Sequence, residues 1–214
     1  MAILKNDTSY NYFRGNRYDF RRLAGDEDLQ AIYRLSQQVY GDAAVDLETR
    51  RRWSQLFPDG NLGCFFCDEL VGFLSIWPIS AADAAGLESG QLHEGLVLPL
   101  SQDECRQHPA QHWLCLSIII ADLFRGMAAS PIKHLIEQAL LQVWQQKLLQ
   151  EPFTLYAQAS TPEGLQMMRR SGFSQLRSAE EMPNALPLHA ISCTAIEELQ
   201  HQLLRGASSV TLVS

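Results

Sequence analysis

Apolar residues along this chain recur at spacings that predict alternating strands and helices. Residues 112–121 are apolar on both faces after the first positions, which is typical of a strand in the middle of a sheet. The spacing that follows predicts a long helix over 131–149, with Pro131 suited to its first turn. One stripe of this helix carries Ile132, Leu135, Ile136, Ala139, Leu140 and Val143.

The same patterns divide the rest of the chain. Residues 1–17 show no clear periodicity, and we expect them to form an arm. Period-two alternation and helical spacing, with Asp46 and Gly172 as end signals, predict the remaining elements. Helices are expected at 26–40, 46–57, 161–172 and 195–205, and strands at 18–23, 62–67, 70–77, 153–159, 173–177 and 188–194.

One long segment, residues 81–111, lacks regular periodicity and collects glycine, proline, acidic residues and two histidines. We interpret it as an insertion within a single domain over 18–194, followed by a C-terminal helix and tail over 195–214. Long insertions in compact domains are usually functional or floppy. The insertion is therefore a place to look for substrate contacts.

Composition and charge narrow the class of protein. The chain has 214 residues, of which 46% are apolar and 19% charged, so it can build one substantial globular core. Its formal net charge of −7 argues against non-specific nucleic-acid binding. No apolar stretch approaches the roughly 20 residues that span a bilayer, and residues 1–13 lack the apolar stretch that is typical of a signal peptide. We expect no nucleic-acid or membrane partner and a cytoplasmic location.

Cys64 and Cys67 form the spacing that metal sites often use. Strand alternation would turn the two thiols to opposite faces, and no second pair of cysteine or histidine ligands lies nearby. We therefore expect a buried pair of small apolar side chains and no metal site.

The clearest chemical signal lies where the central strand ends. Residues 116–120 are apolar, residues 121–130 contain a turn of mostly small side chains, and the long helix follows at once. Such a junction directs backbone N–H groups and the positive end of a helix dipole at one point. An anion such as a pyrophosphate can bind there.

The element order and two motifs resemble the GNAT superfamily of acyl-CoA-dependent N-acyltransferases. Its phosphate motif, Arg/Gln-x-x-Gly-x-Gly/Ala, falls on residues 125–130. Arg125 matches its first position and is followed by Gly126, whereas Ala128 replaces the glycine and Ser130 replaces the final glycine or alanine. The second motif is a short helix that ends in Gly-Phe, found here at 161–173.

This resemblance implies an α/β (α+β) fold with a mixed, mostly antiparallel central sheet flanked by helices. It also implies that the cofactor is acetyl-CoA or another acyl-CoA. The turn would bind the pyrophosphate, and the strand before it would bind the pantetheine arm. The cofactor-binding residues would be Ile118, Ile119, Ile120, Arg125, Gly126, Met127, Ala128, Ala129 and Ser130.

The implied reaction moves an acyl group directly from the CoA thioester to a primary amine of a small molecule or peptide. The amine must lose a proton because an amine with a pKa near 10 is mostly protonated at pH 7. His112, Ser117 and Glu94 are the catalytic candidates. Many members of the family place a proton-donating tyrosine five residues before the Phe of Gly-Phe. Here that position is Met168, which has no proton to donate.

Three adjacent arginines, Arg50, Arg51 and Arg52, are charged enough to meet a phosphate or an acidic substrate. Neighbouring residues on a helix spread around its surface rather than facing one point. We therefore expect a solvated helix face.

Two other functions stay open. A non-catalytic CoA-binding or regulatory module would explain Ala128, Ser130 and Met168. An interaction protein would use its insertion and N-terminal arm. We also consider a homodimer, and the sequence does not identify the acceptor.

The assigned phosphate turn leads to a direct test. Arg125→Glu should weaken CoA binding far more than Arg51→Glu, because an acidic side chain at the turn would repel the diphosphate. Titration calorimetry with CoA measures both affinities. Equal effects would count against the assigned turn.

Overall fold

A computed structural model describes residues 11–13, 16–121 and 130–208 of the chain. It contains one mixed sheet of eight strands. The strands are β1 (Asn11–Phe13), β2 (Asn16–Arg22), β3 (Asn61–Phe66), β4 (Glu69–Ile79), β5 (Ala110–Ile120), β6 (Leu149–Gln158), β7 (Ser174–Arg177) and β8 (Leu188–Cys193). Their order across the sheet is β1-β2-β3-β4-β5-β6-β8-β7.

Helices cover both faces of this sheet. Short 3₁₀ turns at Gly41–Ala43, Glu94–Leu96 and Ala179–Glu181 connect some of the elements. The described α-helices are α1 (Asp26–Tyr40), α2 (Leu47–Leu56), α3 (Ala81–Glu88), α4 (Gln102–Gln107), α5 (Ser130–Gln145), α6 (Pro162–Arg170) and α7 (Ile196–Ser208).

The predicted mixed, mostly antiparallel sheet is confirmed. Each pair of neighbouring strands is antiparallel except β5 and β6, which run parallel. A parallel pair needs a long crossover rather than a hairpin, and the segment that contains α5 supplies it. The parallel pair lies in the middle of the sheet, where its faces are covered by helices.

The two faces of the sheet bury different helices. Leu29 and Ile32 of α1 pack with Phe73 of β4 and Ile119 of β5. Helix α3 covers the same side near β6 through its buried Leu87. Helices α5, α6 and α7 pack against one another, with α5 also contacting β4 and β5. We call the two sides the α1 face and the α5 face.

Several predicted elements are confirmed within a few residues, and others differ. Helix α1 has the predicted bounds, and the side chain of Asp46 accepts a hydrogen bond from Thr49 N at the start of α2. The predicted helix over 131–149 is too long, because Lys147 adopts a positive φ of 55° and the chain turns into β6 there.

Two segments that we expected to be irregular have regular structure. Strand β1 and the start of β2 pair as the outer hairpin of the sheet, within the predicted arm. Residues 81–111 contain α3, a 3₁₀ turn, α4 and the start of β5. The hydroxyl of Tyr156 donates to Glu88 Oε1 at 2.5 Å, so the insertion is anchored to the sheet.

The expected buried cysteine pair is wrong for Cys67. Cys64 is buried in β3, but Cys67 is exposed in the turn to β4, where it and Asp68 both have positive φ. Across residues 11–13, 16–121 and 130–208, no group of three or more possible ligands is placed to hold a metal ion. The helices in those same ranges include none long and apolar enough to cross a membrane.

Gly72 controls how closely β4 approaches the end of β5. A Cβ atom there would lie 2.4 Å from Ile120 Cδ1 and 2.8 Å from the backbone oxygen of Ile119. Gly72→Ala should therefore lower the free energy of unfolding by about 1–3 kcal/mol, measured by urea denaturation. Gly25→Ala is the matched control, because its nearest neighbour would be 3.4 Å away. Equal stability of the two variants would contradict this packing.

Candidate active site

Strand β5 extends past its pairing with β6, and β6 itself ends one residue after the last pair. Strand β5 stays paired with β4 as far as Ile120, opposite Gly72. Its pairing with β6 ends at Cys115, opposite Ala157. In the part of the chain that the structure describes, no other strand takes the place of β6 beside residues 116–119. We call this opening between residues 116–120 of β5 and the end of β6 the fork.

A β-bulge marks the point where the fork opens. Ser75 of β4 lies opposite Ser117, but the next residue, Ile76, lies opposite Cys115. Leu116 is therefore an extra residue on β5. A bulge of this kind changes which side of the sheet the following side chains face. Because of it, Ser117 turns to the α1 face instead of sharing the α5 face with Cys115.

A cavity of about 40 Å³ adjoins the fork on the α5 face, and we call it the apolar cavity. Cys115 and Ile118 border it from β5, and Leu155 and Ala157 border it from β6. The rest of its lining comes mainly from α5 and α6, including the buried Met168. Its walls are suited to methylene groups rather than to charges.

A second cavity, also of about 40 Å³, adjoins the fork on the α1 face, and we call it the polar cavity. On the measure used for these volumes a water molecule needs roughly 10–15 Å³, so the polar cavity has room for a small polar group. It is lined by residues from five separate parts of the chain. They are Tyr40, Val45, Arg50, Glu94, Leu116, Ser117, Gln158, Ser160 and Leu186.

Glu94 is the acidic residue of the polar cavity. It begins the 3₁₀ turn Glu94–Leu96, and His93 caps that turn by accepting a hydrogen bond from Gly95 N at 3.2 Å. Its Oε2 atom is buried and has no hydrogen-bond partner among the residues described. Burial raises the pKa of Glu94 to about 8, although the charge of Arg50 opposes this shift. Glu94 thus exchanges its proton close to neutral pH.

Arg50 is the basic residue of the polar cavity, and the expectation of a solvated arginine face is wrong for it. Arg50 is 2% exposed, whereas Arg51 pairs with Asp26 at the surface and Arg52 is exposed. Helix α2 turns Arg50 inward, where the backbone oxygen of Val45 and the Ser36 hydroxyl satisfy two of its nitrogens. Burial lowers the pKa of Arg50 to about 10, so it keeps its charge at neutral pH.

Tyr40, the last residue of α1, reaches both arms of the fork. Burial raises the pKa of its hydroxyl, and the nearby charge of Glu94 adds to this. Hydrogen bonding with Ser117 of β5 and with Ser160, which follows β6, acts in the opposite direction. The Tyr40 hydroxyl therefore stays protonated at neutral pH, and Tyr40 lines the polar cavity together with Ser117 and Ser160.

Gln158 lines the polar cavity at the end of β6, and two hydrogen bonds hold its side chain in place. Its amide nitrogen donates to the backbone oxygen of Leu186 at 2.8 Å, and its amide oxygen accepts from Asn184 at 2.9 Å. These bonds tie the end of β6 to the segment before β8. The cavity is thus bounded by well-packed elements on each side of the fork.

The structure brings two of the three catalytic candidates together. Glu94 and Ser117 line the polar cavity, but His112 borders neither cavity. His112 lies five residues before Ser117 on β5, a separation of about 15 Å along a strand. Its Nδ1 atom is 3.4 Å from the Tyr156 hydroxyl.

The predicted cofactor residues are described only in part. Ile118 borders the apolar cavity, Ile119 packs under α1, and Ile120 is buried at the end of β5. Ser130 is the first residue of α5. The others, Arg125, Gly126, Met127, Ala128 and Ala129, lie outside the described residues, so their role stays a prediction.

Comparison with known proteins identifies the fold. No family model and no curated protein matches the chain. Among solved structures, the N-acyl amino acid synthase FeeM from uncultured soil microbes superimposes with a TM-score of 0.58 at 16% identity, over 88% of this chain and 95% of that one. A GNAT family acetyltransferase from Listeria monocytogenes gives 0.52 at 17% identity, over 86% and 100%. The chain has the GNAT fold.

A further GNAT structure belongs to a substrate complex. It is the diaminobutyrate acetyltransferase EctA from Paenibacillus lautus, with L-2,4-diaminobutyric acid and coenzyme A. It superimposes with a TM-score of 0.52 at 13% identity, over 83% of this chain and 96% of that one. At these identities the likeness concerns the fold, and the chemistry has to be argued from this chain's own residues.

Sequence reasoning missed two residues of the polar cavity. Tyr40 looked only like the end of a helix, and Arg50 looked like its neighbours Arg51 and Arg52. One signal was available for Arg50: it lies three residues before Trp53, on the apolar side of α2. The sequence offered no signal for Tyr40. The residues near it lie on β5 and after the end of β6, and the register of the sheet cannot be read from the sequence.

The raised pKa of Glu94 predicts a pH-dependent stability. Its ordinary value is 4.5, so between about pH 4.5 and 8 the folded protein binds more protons than the unfolded chain, and the free energy of unfolding falls as pH rises. Glu94→Gln removes this effect. Between pH 5 and 8.5 the variant should gain about 1 kcal/mol or more relative to the wild type, measured by urea denaturation.

Three titratable neighbours of Glu94 in the site keep their protons throughout this window. Arg50 and Cys115, with pKa values of about 10 and 12, keep their protons, as does Tyr40. Glu27→Gln, on the exposed surface of α1, is the control and should follow the wild type at both pH values. The same pH dependence in Glu94→Gln and wild type would contradict a buried, raised-pKa carboxyl.

Proposed function

We propose that this chain is an acyl-CoA-dependent N-acyltransferase that moves an acyl group, most simply acetyl, from the CoA thioester directly to a primary amine. The observation that carries the proposal is the fork, which has an apolar cavity on one side and a polar cavity with a buried carboxyl group on the other. A thioester at the fork would have its acyl carbon next to both cavities. The fold is compatible with this reaction.

The cofactor would lie with its pantetheine arm along β5. Residues 116–119 extend beyond the pairing with β6, so their backbone can pair with an extended ligand as with an added strand. Ile118, Ile119 and Ile120 would form this strip, and Arg125, Gly126, Met127, Ala128, Ala129 and Ser130 the pyrophosphate site. The structure of EctA with coenzyme A supports an acyl-CoA as the cofactor for this fold.

Glu94 would accept the proton that the amine must lose. A carboxyl group with a pKa of about 8 is a much stronger base than an ordinary glutamate, and its basicity approaches that of the amine. Its unpartnered Oε2 atom is able to accept a hydrogen bond from an ammonium group in the polar cavity. The neutral amine then attacks the thioester carbon, and the C–S bond breaks as the amide forms.

Tyr40 would donate a proton to the departing thiolate. The tyrosine that many members of the superfamily carry before Gly-Phe is replaced by Met168, which is buried and borders the apolar cavity. Tyr40 reaches the fork from the opposite face and interacts with Ser117 and Ser160 on its two arms. Ser117 would orient this hydroxyl rather than act as a nucleophile.

Met168 also supports a second candidate function, a CoA-binding or regulatory module without chemistry. Such a module would use the apolar cavity and the fork but would not need Glu94 or Tyr40. Titration calorimetry with CoA and a thiol-release assay with a panel of amines separate the two. Heat without turnover across the panel would favour the module, and no heat at all would contradict both.

The proposed roles predict distinct kinetic effects. Glu94→Gln should lower kcat/KM by about 10²-fold and remove the rise in kcat/KM through about pH 8, since the base is lost. Tyr40→Phe should lower kcat with a smaller effect on KM, because the missing hydroxyl acts on the leaving group. Thiol release measured from pH 6 to 9.5 gives both profiles.

Glu27→Gln is the matched control for Glu94→Gln, since it makes the same change on the exposed surface of α1. Circular dichroism checks that each variant folds. A large loss with His112→Asn and none with Glu94→Gln would move the proton acceptor to the other end of β5 and overturn this assignment.

A further inference from the structure

Two side chains that can carry opposite charges, Arg50 and Glu94, line the polar cavity without forming an ion pair. Arg50 is near enough to influence the pKa of Glu94, yet no contact of 4.0 Å or less joins the two side chains. Buried opposite charges that are separated gain little from each other and leave hydrogen-bonding capacity unused. A ligand that carries both charges would fit between them.

The Arg50 guanidinium is held in a fixed position. Its Nε atom donates to the backbone oxygen of Val45 at 3.0 Å, and its Nη2 atom donates to the Ser36 hydroxyl at 2.9 Å. Its charged end lies 5.9 Å from the centre of the Phe73 ring. The remaining nitrogen, Nη1, has no hydrogen-bond partner within the described ranges. A preorganised guanidinium of this kind is suited to a carboxylate.

Glu94 supplies the complementary half of the site. Its buried Oε2 atom has no partner in the described parts of the chain, which is costly for a polar atom unless a ligand completes it. An ammonium group would satisfy this atom, as a carboxylate would satisfy Arg50 Nη1. Charge-assisted bonds of both kinds are about 2.8 Å long. A small zwitterion placed between Glu94 and Arg50 would make one such bond with each, whereas the two side chains form no ion pair with each other.

We propose that the acceptor is a free α-amino acid, whose ammonium group binds Glu94 and whose carboxylate binds Arg50. The inference deepens the proposed function and depends on it for the reaction, but the binding of the acceptor can be tested separately. The amine would lie beside Leu116 and Ser117, where the cavity meets the fork. The volume of about 40 Å³ suits the compact head group that all α-amino acids share.

A peptide N-terminus is the main competing acceptor, and the site distinguishes it by charge. A peptide presents an ammonium group for Glu94 but an uncharged amide where the free amino acid has its carboxylate. Arg50 would then remain buried without an anionic partner, which is unfavourable. A free amino acid should therefore be preferred over a peptide or an α-carboxamide with the same side chain.

The decisive experiment compares each common α-amino acid with its α-carboxamide as acceptor for acetyl-CoA. In the wild type we expect kcat/KM to be at least 50-fold higher for the best amino acid than for its carboxamide. In Arg50→Met this ratio should fall to within threefold of one. Equal rates for acid and carboxamide in the wild type would overturn the amino acid acceptor while leaving the acyltransferase function in place.

Binding gives a second readout that does not require turnover. Titration calorimetry with the CoA-loaded wild-type protein should show heat with an amino acid and at least tenfold weaker binding of its carboxamide. If this preference is present but no thiol is released, the proposed reaction fails and the amino acid site stands. If neither compound binds and neither reacts, the amino acid site is overturned.

Because Arg50 is buried, Arg50→Met could unfold the chain, so Arg50→Lys provides a second variant. Lysine keeps the charge but loses the planar, fixed guanidinium, and it should reduce the acid-to-carboxamide ratio only in part. Arg51→Met changes the next residue, which lies on the exposed side of α2; it is the matched control and should leave the ratio unchanged. An equal fall in the ratio for Arg51→Met would contradict the role of Arg50.

Discussion

The extension of β5 past the end of β6 is the constraint on which the site depends. If β6 continued beside β5 to Ile120, the backbone of residues 116–119 would be buried in a continuous ladder, and the sheet would have no opening there. Because β5 follows β4 instead, both cavities adjoin the same short stretch of chain. Because Leu116 is an extra residue in β5, the alternation of side chains is reversed there, and the hydroxyl of Ser117 faces the opposite side of the sheet from Cys115.

The two cavities, on opposite faces of the sheet, differ in the charged and polar groups that line them. The described residues that line the apolar cavity include no charged side chain, whereas the polar cavity contains Glu94, Arg50 and Tyr40. Charges in such a place are poorly screened by water, so each changes the proton affinity of its neighbours strongly. Arg50 keeps the pKa of Glu94 from rising further, and Glu94 helps to keep Tyr40 protonated.

Much of the fold could be predicted from the sequence because its signals are local. The bounds of α1, the Asp46 cap and the β3–β4 hairpin follow from spacing and turn residues within a few positions of each element. The candidate site could be predicted less well. Glu94 and Ser117 were identified by residue type, but the bulge at Leu116 depends on the register with β4, which no local pattern contains.

Arg50 and the end of α5 illustrate the same limit in different ways. Three consecutive arginines have equal propensity, and only packing against Ser36 and Val45 buries the first of them. Leu148 and Leu149 extend the apolar composition of α5, yet a left-handed backbone at Lys147 turns the chain before them, and Leu149 begins β6. In both cases tertiary contacts override a pattern that is correct for neighbouring residues.

The interactions of Tyr40 carry a consequence for how the protein can be cut, permuted or assembled. Tyr40 at the end of the first helix, Ser117 of a middle strand and Ser160 after β6 line the same cavity, so each third of the sequence contributes to this junction. No fragment of the chain holds this junction on its own. Enzymatic turnover would therefore serve as a sensitive indicator that the polypeptide is intact and completely folded.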